Sequence, residues 1–155
     1  MNDGPAPRPL RDMQSPWGKD DLTLQEVTQC FVGTLLMMKA LSLMVLAYCY
    51  GASFSLEHPK GVEGREGRWT IWDSAMIQQL LLAADVKRID FIQGPLGQPF
   101  TKPTSLLTGR LENFAMELFK HYQPGWKPTE WLGGRESNKR GWRTAKGKAY
   151  PPLTC

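Results

Sequence analysis

Residues 52–59 read ASFSLEHP, an apolar stretch that stops abruptly at a carboxylate, an imidazole and a proline. The short apolar run over 52–57 predicts a buried β-strand. Pro59 biases His58 away from the helical region and holds the chain in a defined turn just past Glu57. The stretch therefore predicts a strand that delivers Glu57 and His58 to the edge of a sheet, although a plain strand exit without a ligand would show the same residues.

The segment before this strand, residues 22–50, is the most apolar part of the chain. Thr23 and Glu26 have the spacing of a capping box, and Gly51 suits the position just after a helix, so we expect one long helix. Two interpretations stay open, a well-buried helix of a soluble domain or a membrane span. A span would place Lys39 near mid-helix, at a cost of about 2.5–3.5 kcal/mol on insertion scales, which favours the buried helix.

Helices and strands alternate in the chain that follows. The patterns predict a helix over 70–85, a strand over 88–93, an irregular loop over 94–103, a third strand over 104–108 and a helix over 111–122. A helix between two strands is typical of α/β layers with parallel neighbouring strands. We therefore expect an α/β fold, a small three-stranded mixed sheet with packed helices that is partly Rossmann-like.

Composition and charge divide the chain into three parts. We expect a disordered, proline-rich arm over 1–21, the α/β domain over 22–123 and a basic, tryptophan-containing irregular tail over 124–155. The net charge is +4, and the segment 127–148 alone holds seven basic and two acidic residues. Such a tail indicates an anionic partner, of which nucleic acid is the commonest, although it could also be a solvated tail that binds nothing specific. The nucleic-acid-binding candidates are Arg135, Lys139, Arg140, Trp142, Arg143 and Lys146.

Polar side chains lie at the ends of the first two predicted strands, where open α/β sheets bind ligands. Glu57 could accept hydrogen bonds from an amino group such as a base edge, and Lys102 on a proline-braced loop suits a phosphate contact. The candidate cleft consists of Glu57, His58, Pro59, Gln93, Lys102 and Thr104. No nucleophile accompanies them, so the sequence names no catalytic residue.

The cysteines and histidines exclude several kinds of site. Cys30, Cys49 and Cys155 form no C-x-x-C pair, and His58 and His121 lie far apart. A disulfide framework and a zinc or other metal site are therefore not expected. No glycine-rich cofactor loop or P-loop pattern occurs, so we expect no cofactor. The polar, proline-rich start is unlike a secretory signal, which points to an intracellular protein, nuclear or cytoplasmic.

Several short pieces in a fixed order resemble a family of uncharacterised proteins associated with mobile elements in dinoflagellate algae. They cover roughly residues 55–155. The pieces are LEHP at 56–59, IW at 71–72, QG at 93–94 with Gly97, KPTSLL at 102–107, and YPP at 150–152 with Cys155. The resemblance implies no established activity, because the family has none.

A more distant resemblance is to the second half of DNA cytosine-5 methyltransferase-like domains. Glu57 and Pro59 match the Glu-Asn-Pro strand end at which those enzymes hold the target base, with His58 in place of Asn. The resemblance implies that the third strand lies between the other two and antiparallel to both. The glycine-rich cofactor loop and the Pro-Cys nucleophile of that family are absent here. S-adenosylmethionine would therefore bind only if a second chain supplied the missing half.

These observations favour a degenerate, non-catalytic nucleic-acid-related domain derived from a mobile element, with DNA or RNA as its partner. One alternative is a fragment of a DNA methyltransferase-like enzyme that needs a second protein chain for cofactor binding. Another is a small membrane-anchored protein with a span near residues 30–50. The missing nucleophile argues against enzymatic activity of the isolated chain.

Overall fold

A computed structural model describes residues 8–61 and 67–129, so the six candidates predicted in the basic tail lie outside the described residues. Helix α1 spans Leu24–Cys49. The predicted capping box is present at its start, where Thr23 and Glu26 exchange backbone-to-side-chain hydrogen bonds. At its end Gly51 has a φ of +76°, which favours glycine, and its N–H donates to the carbonyl of Tyr48. The predicted start and stop of this helix are confirmed.

The sheet contains three strands, β1 (Phe54–Pro59), β2 (Val86–Ile92) and β3 (Pro103–Gly109), in the order β1-β3-β2. The central β3 is antiparallel to both neighbours, as the resemblance to methyltransferase-like domains implies. The prediction of a mixed sheet with parallel neighbours is wrong. The chain leaves β2 through a loop closed by the hydrogen bond from Gln93 N to Lys102 O, and it returns as an antiparallel hairpin that inserts β3 between β2 and β1. The α/β class holds, but the antiparallel sheet does not confirm a Rossmann-like arrangement.

The predicted helix over 70–85 is much shorter in the structure. A 3₁₀ turn covers Ile71–Asp73, and helix α2 covers Ala75–Leu80. The two are separate because Ser74 has extended backbone angles, and its side chain accepts a hydrogen bond from Ile77 N at the start of α2. Helix α3, Phe114–Lys120, lies inside the predicted range 111–122 and has no buried residue.

One face of the sheet forms the core with α1 and α2. The buried cluster consists of Leu41, Met44, Phe54, Ile71, Trp72, Ile77, Leu80, Val86 and Leu107. The first two come from α1 and the last from the centre of β3, so the sheet and the long helix share one core. This packing orders the ends of the strands, which position the site described below.

The expectation that α1 is well buried is wrong. Of its 26 residues only Cys30, Leu41 and Met44 are buried, because the small sheet and α2 contact one side of the helix. The candidate span within α1 has a mean hydropathy of 2.0, so α1 is long and apolar enough to cross a membrane by length and composition. Core helices of soluble proteins and signal sequences can have the same length and apolarity. The interpretation of α1 as a membrane span therefore stays a prediction.

Residues 8–21 of the N-terminal arm lie against the start of α1. Arg8 makes ion pairs with Asp21 and Glu26, at 2.6 and 2.8 Å. Arg11 donates to the carbonyl of Cys30 and to the hydroxyl of Thr34. These contacts bring the arm beside the end of β1, where it becomes one wall of a cavity.

Candidate functional site

The two faces of β1 separate the candidate cleft residues. Glu57 lies opposite Leu106 and His58 lies opposite Ser105 in the ladder with β3. Because successive side chains of a strand point to opposite faces, Glu57 and His58 cannot share one cleft. The structure brings Glu57 together with Gln93, Lys102 and Thr104. It leaves His58 on the other side of the sheet.

The Glu57 group is a closed polar cluster. The carboxylate Oε1 accepts a hydrogen bond from Gln93 Nε2 at 3.4 Å and lies 3.7 Å from Lys102 Nζ. Gln93 and Thr104 are 2% and 0% exposed, and the side chains of Glu57 and Lys102 are 20% and 16% exposed. The amide oxygen of Gln93 is buried and finds no hydrogen-bond partner among the described residues. The cluster fastens the loop between β2 and β3 to β1.

The glycines of that loop have structural reasons. The ring of Trp126 lies directly on Gly94, where any Cβ would collide with it. Gly97 has a φ of +113°, a conformation that side-chain-bearing residues rarely adopt. Thr129 N donates to the carbonyl of Pro99 at 2.7 Å, which continues the contact of the segment 123–129 with the loop. Gly94 therefore makes room for the ring of Trp126, and Gly97 allows the backbone to turn.

His58 faces a cavity of about 720 Å³ on the opposite side of the sheet. The cavity lies between the N-terminal arm, the start of α1, the end of β1 and the segment 68–73. Of the residues predicted for the candidate cleft, His58 and Pro59 line this cavity. Four cationic side chains, two indoles and one carboxylate also line it. These cations, indoles and carboxylate are Arg11, Lys60, Arg68, Arg88, Trp69, Trp72 and Asp73.

Trp72 is the rigid centre of this cavity wall. It is 3% exposed, and its Nε1–H donates to the carbonyl of Pro59 at 3.1 Å. The guanidinium of Arg88 lies 4.5 Å from the centre of one ring of Trp72, a cation–π contact. His58 meets the same side chain edge-on at a centroid distance of 5.9 Å. The hydrogen bond and both ring contacts hold the end of β1 in one orientation.

Across the sheet, His58, Ser105 and Asp90 lie in one row on the same face. The row is not a nucleophile-activating triad. Ser105 is fully buried, and its hydroxyl donates a hydrogen bond to Asp90 Oδ1 at an Oγ–Oδ1 distance of 2.5 Å. It therefore neither faces a substrate nor uses His58 as a base. Burial raises the pKa of Asp90, but the Ser105 hydrogen bond and the charges of Arg88 and Lys60 outweigh it and hold that pKa below its usual value.

The cations of the cavity differ in how far they are neutralised. Lys60 and Arg88 both pair with Asp90, at 3.4 and 3.0 Å. Arg11 is held by α1 and lies 5.7 Å from the ring of Trp69. Arg68 lines the cavity and makes no ion pair or hydrogen bond with another described residue. The cavity is therefore a cationic, aromatic site suited to an anionic ligand with a flat ring.

The sequence prediction missed Arg11, Arg68 and Trp69, since the first lies in the arm predicted to be disordered and the other two precede the predicted helix over 70–85. A usable signal was present in the segment 68–72, RWTIW, which places two tryptophans three residues apart after an arginine. Among the described residues there is no group of three or more His, Cys, Asp or Glu side chains arranged to hold a metal ion.

Comparison with protein-family models, with curated proteins and with solved structures returned no match to this chain. The two resemblances stated from the sequence therefore stay predictions. The functional conclusion depends on the geometry of the cavity.

Proposed function

We propose that this chain is a non-catalytic nucleic-acid-binding domain that holds a single strand at the cavity beside His58. The observation that carries the proposal is the meeting of Arg68 and other cations with the indole of Trp69 in one cavity. Proteins that bind single strands combine a cationic groove for the backbone with aromatic side chains on which bases stack. The same pairing of groups is what this site offers.

The size of the cavity agrees with this ligand. Ligand pockets usually measure about 300–1,000 Å³, and the cavity here, about 720 Å³, has room for one or two nucleotides. The guanidinium of Arg11 lies over the ring of Trp69, 5.7 Å from its centre, where it could contact the phosphate of a nucleotide bound beside the indole. The basic tail at 127–148 would add phosphate contacts that do not depend on sequence.

The strand order supports a nucleic-acid-related origin. A central β3 antiparallel to β1 and β2 is the order implied by the resemblance to DNA cytosine-5 methyltransferase-like domains. Within the described residues the buried Ser105 and the closed Glu57 cluster supply no nucleophile, which favours binding without catalysis. The proposal is thus a degenerate domain derived from a mobile element that kept a binding role.

The test is a titration of the full chain with single-stranded DNA, single-stranded RNA and duplex DNA at two salt concentrations. We expect single strands to bind, and the affinity to fall steeply with salt because phosphate contacts release counterions. Trp69→Ala should weaken single-strand binding by about 1–3 kcal/mol, the usual value of one stacked base. Arg68→Ala should weaken binding and lower the salt slope by about one unit.

The matched control is Lys87→Ala, which removes an exposed cation from β2 away from the cavity lining. Its affinity should equal that of the parent chain within about twofold. No binding of any nucleic acid at low salt would overturn the proposed function. Binding that is equally strong in Trp69→Ala and Arg68→Ala would instead remove the cavity from the proposal and leave the tail as the binding element.

A further inference from the structure

Helix α1 presents a broad apolar surface on the side away from the core. This outer face is defined by Phe31, Val32, Leu35, Leu36, Leu43 and Leu46, which are 45–68% exposed. The opposite side of the same helix holds Leu41 and Met44, at 1% and 5% exposed, in the core. The outer face is therefore additional to the surface that folds the domain, and nothing in the described part of the chain covers it.

An exposed apolar surface of this size indicates an interaction site. The largest apolar patch on a typical monomer is about 300–600 Å². The six side chains of the outer face together expose an area on the order of 600 Å², which is the share of one partner at the lower end of stable interfaces. The area is sufficient for a lasting protein contact.

The core side of α1 argues against a bilayer as the occupant. A helix that crosses a membrane would take Leu41 and Met44 out of the core, where they pack with Trp72. A helix that lies in the membrane interface is usually rich in Lys and Arg beside its apolar face. Here Lys39 is the one basic residue of α1, and it lies in the middle of the apolar surface.

The spacing of the outer face suits a helix partner. Val32, Leu35, Lys39, Leu43 and Leu46 follow one another at intervals of three and four residues, which is the spacing of a seam between two packed helices. A single polar residue within such a seam sets the register and limits the number of helices that associate. Lys39 occupies that position.

We propose that the outer face of α1 binds the outer face of α1 in a second copy of this chain, which forms a two-fold symmetric dimer. A homodimer removes this face from solvent without needing a different partner, because a two-fold symmetric contact buries the same patch on both copies. The proposal concerns α1 only and is independent of the nucleic-acid site. Either could fail without the other.

The experiment is sedimentation equilibrium of the full chain, treated with nuclease and free of detergent, over a hundredfold range of concentration. We expect a mass of twice 17.5 kDa that persists at high salt, since the contact is apolar. Leu43→Glu, at a residue 67% exposed and on the outer face, should raise the dimer dissociation constant by roughly a hundredfold, because each copy brings a charge into the contact.

The matched control is Leu82→Glu, at a residue 77% exposed just after α2 and off the outer face, which should leave the dimer intact. Circular dichroism of both variants checks that the fold is kept. A mass of 17.5 kDa at every concentration would overturn the proposal, as would a dimer that Leu43→Glu and Leu36→Glu both leave unchanged. Flotation of a monomeric chain with anionic vesicles, lost in Leu43→Glu, would identify lipid as the occupant instead.

Discussion

The polar groups on the two faces of the sheet at the end of β1 differ in their surroundings. On one face Glu57, Gln93 and Lys102 contact one another and are largely withdrawn from solvent. On the other face His58 borders an open cavity in which Arg68 has no neutralising partner among the described residues. Polar groups that satisfy one another hold a fold together, whereas charges left open toward a cavity can bind a ligand. Neighbouring residues of one strand therefore suit different roles, with Glu57 in a structural cluster and His58 at the proposed binding cavity.

The largest expected change in stability comes from substitution of Trp72, because this residue lies in both the core and the cavity wall. Trp72→Ala should lower the free energy of unfolding by about 3–5 kcal/mol, because it leaves a large void and removes the hydrogen bond to Pro59. Urea denaturation measures the change. Trp17→Ala, at a side chain 62% exposed, is the control and should change stability by less than about 0.5 kcal/mol. Equal effects of the two substitutions would show that the cavity wall is not part of the core.

Substitutions of Glu57 and His58 should have intermediate effects, and they compare the two faces of β1 directly. Glu57→Ala should lower the free energy of unfolding by about 1–3 kcal/mol, because the buried amide of Gln93 and the ammonium group of Lys102 each lose an acceptor. Its affinity for single strands should stay unchanged. His58→Ala should show the reverse, with weaker binding and a stability change below about 1 kcal/mol.

Denaturation and binding titrations of both variants measure this contrast. If Glu57→Ala abolished binding while stability was kept, the division between a structural and a binding face would be wrong.

The smallest effect concerns the arm that forms one wall of the cavity. The hydrogen bond from Arg8, with those from Thr23, lowers the pKa of Glu26 from 4.5 to about 2. A carboxyl whose folded pKa is depressed stabilises the fold above its ordinary pKa, and that contribution is lost as the pH falls from 4.5 toward about 2. The pair lies at the surface, so we expect a small effect confined to the arm.

Trp17 in the arm lies 6.4 Å from Trp69, and its fluorescence should report release of the arm in that acid range. Glu26→Gln should remove this pH dependence and leave any acid transition of the remaining domain unchanged. A spectral change in the same range that persists in Glu26→Gln would assign the transition to other carboxyls.

Local features of the fold were predictable because they depend on residues close together in the chain. Thr23 and Glu26 start α1 and Gly51 ends it through contacts within a few residues, and the structure shows all three in those roles. The three strands were also found, with ends shifted by one or two residues. The antiparallel pairing was not predictable from strand order alone, since the hairpin loop 93–102 decides the direction of β3.

The candidate site was predicted less well, because its residues come from distant segments. Period-two alternation along β1 already implies that Glu57 and His58 point apart, but only the ladder with β3 shows which face is closed and which borders a cavity. Arg11 and Trp69 are separated by 58 positions and meet only because the arm folds back on α1. No local pattern encodes that meeting.

The sequence by itself determined the long apolar helix, its caps, the three strands and the absence of paired cysteine or histidine metal motifs. These follow from backbone propensity, hydrophobic period and capping chemistry, which act over a few residues. Only the tertiary structure decided that β3 lies at the centre of an antiparallel sheet, that Glu57 joins a polar cluster while His58 borders a cavity, and that α1 leaves nine large apolar side chains exposed. Burial and register arise from contacts between distant segments, so a residue's neighbours in the chain do not reveal which side of a strand or helix meets the core.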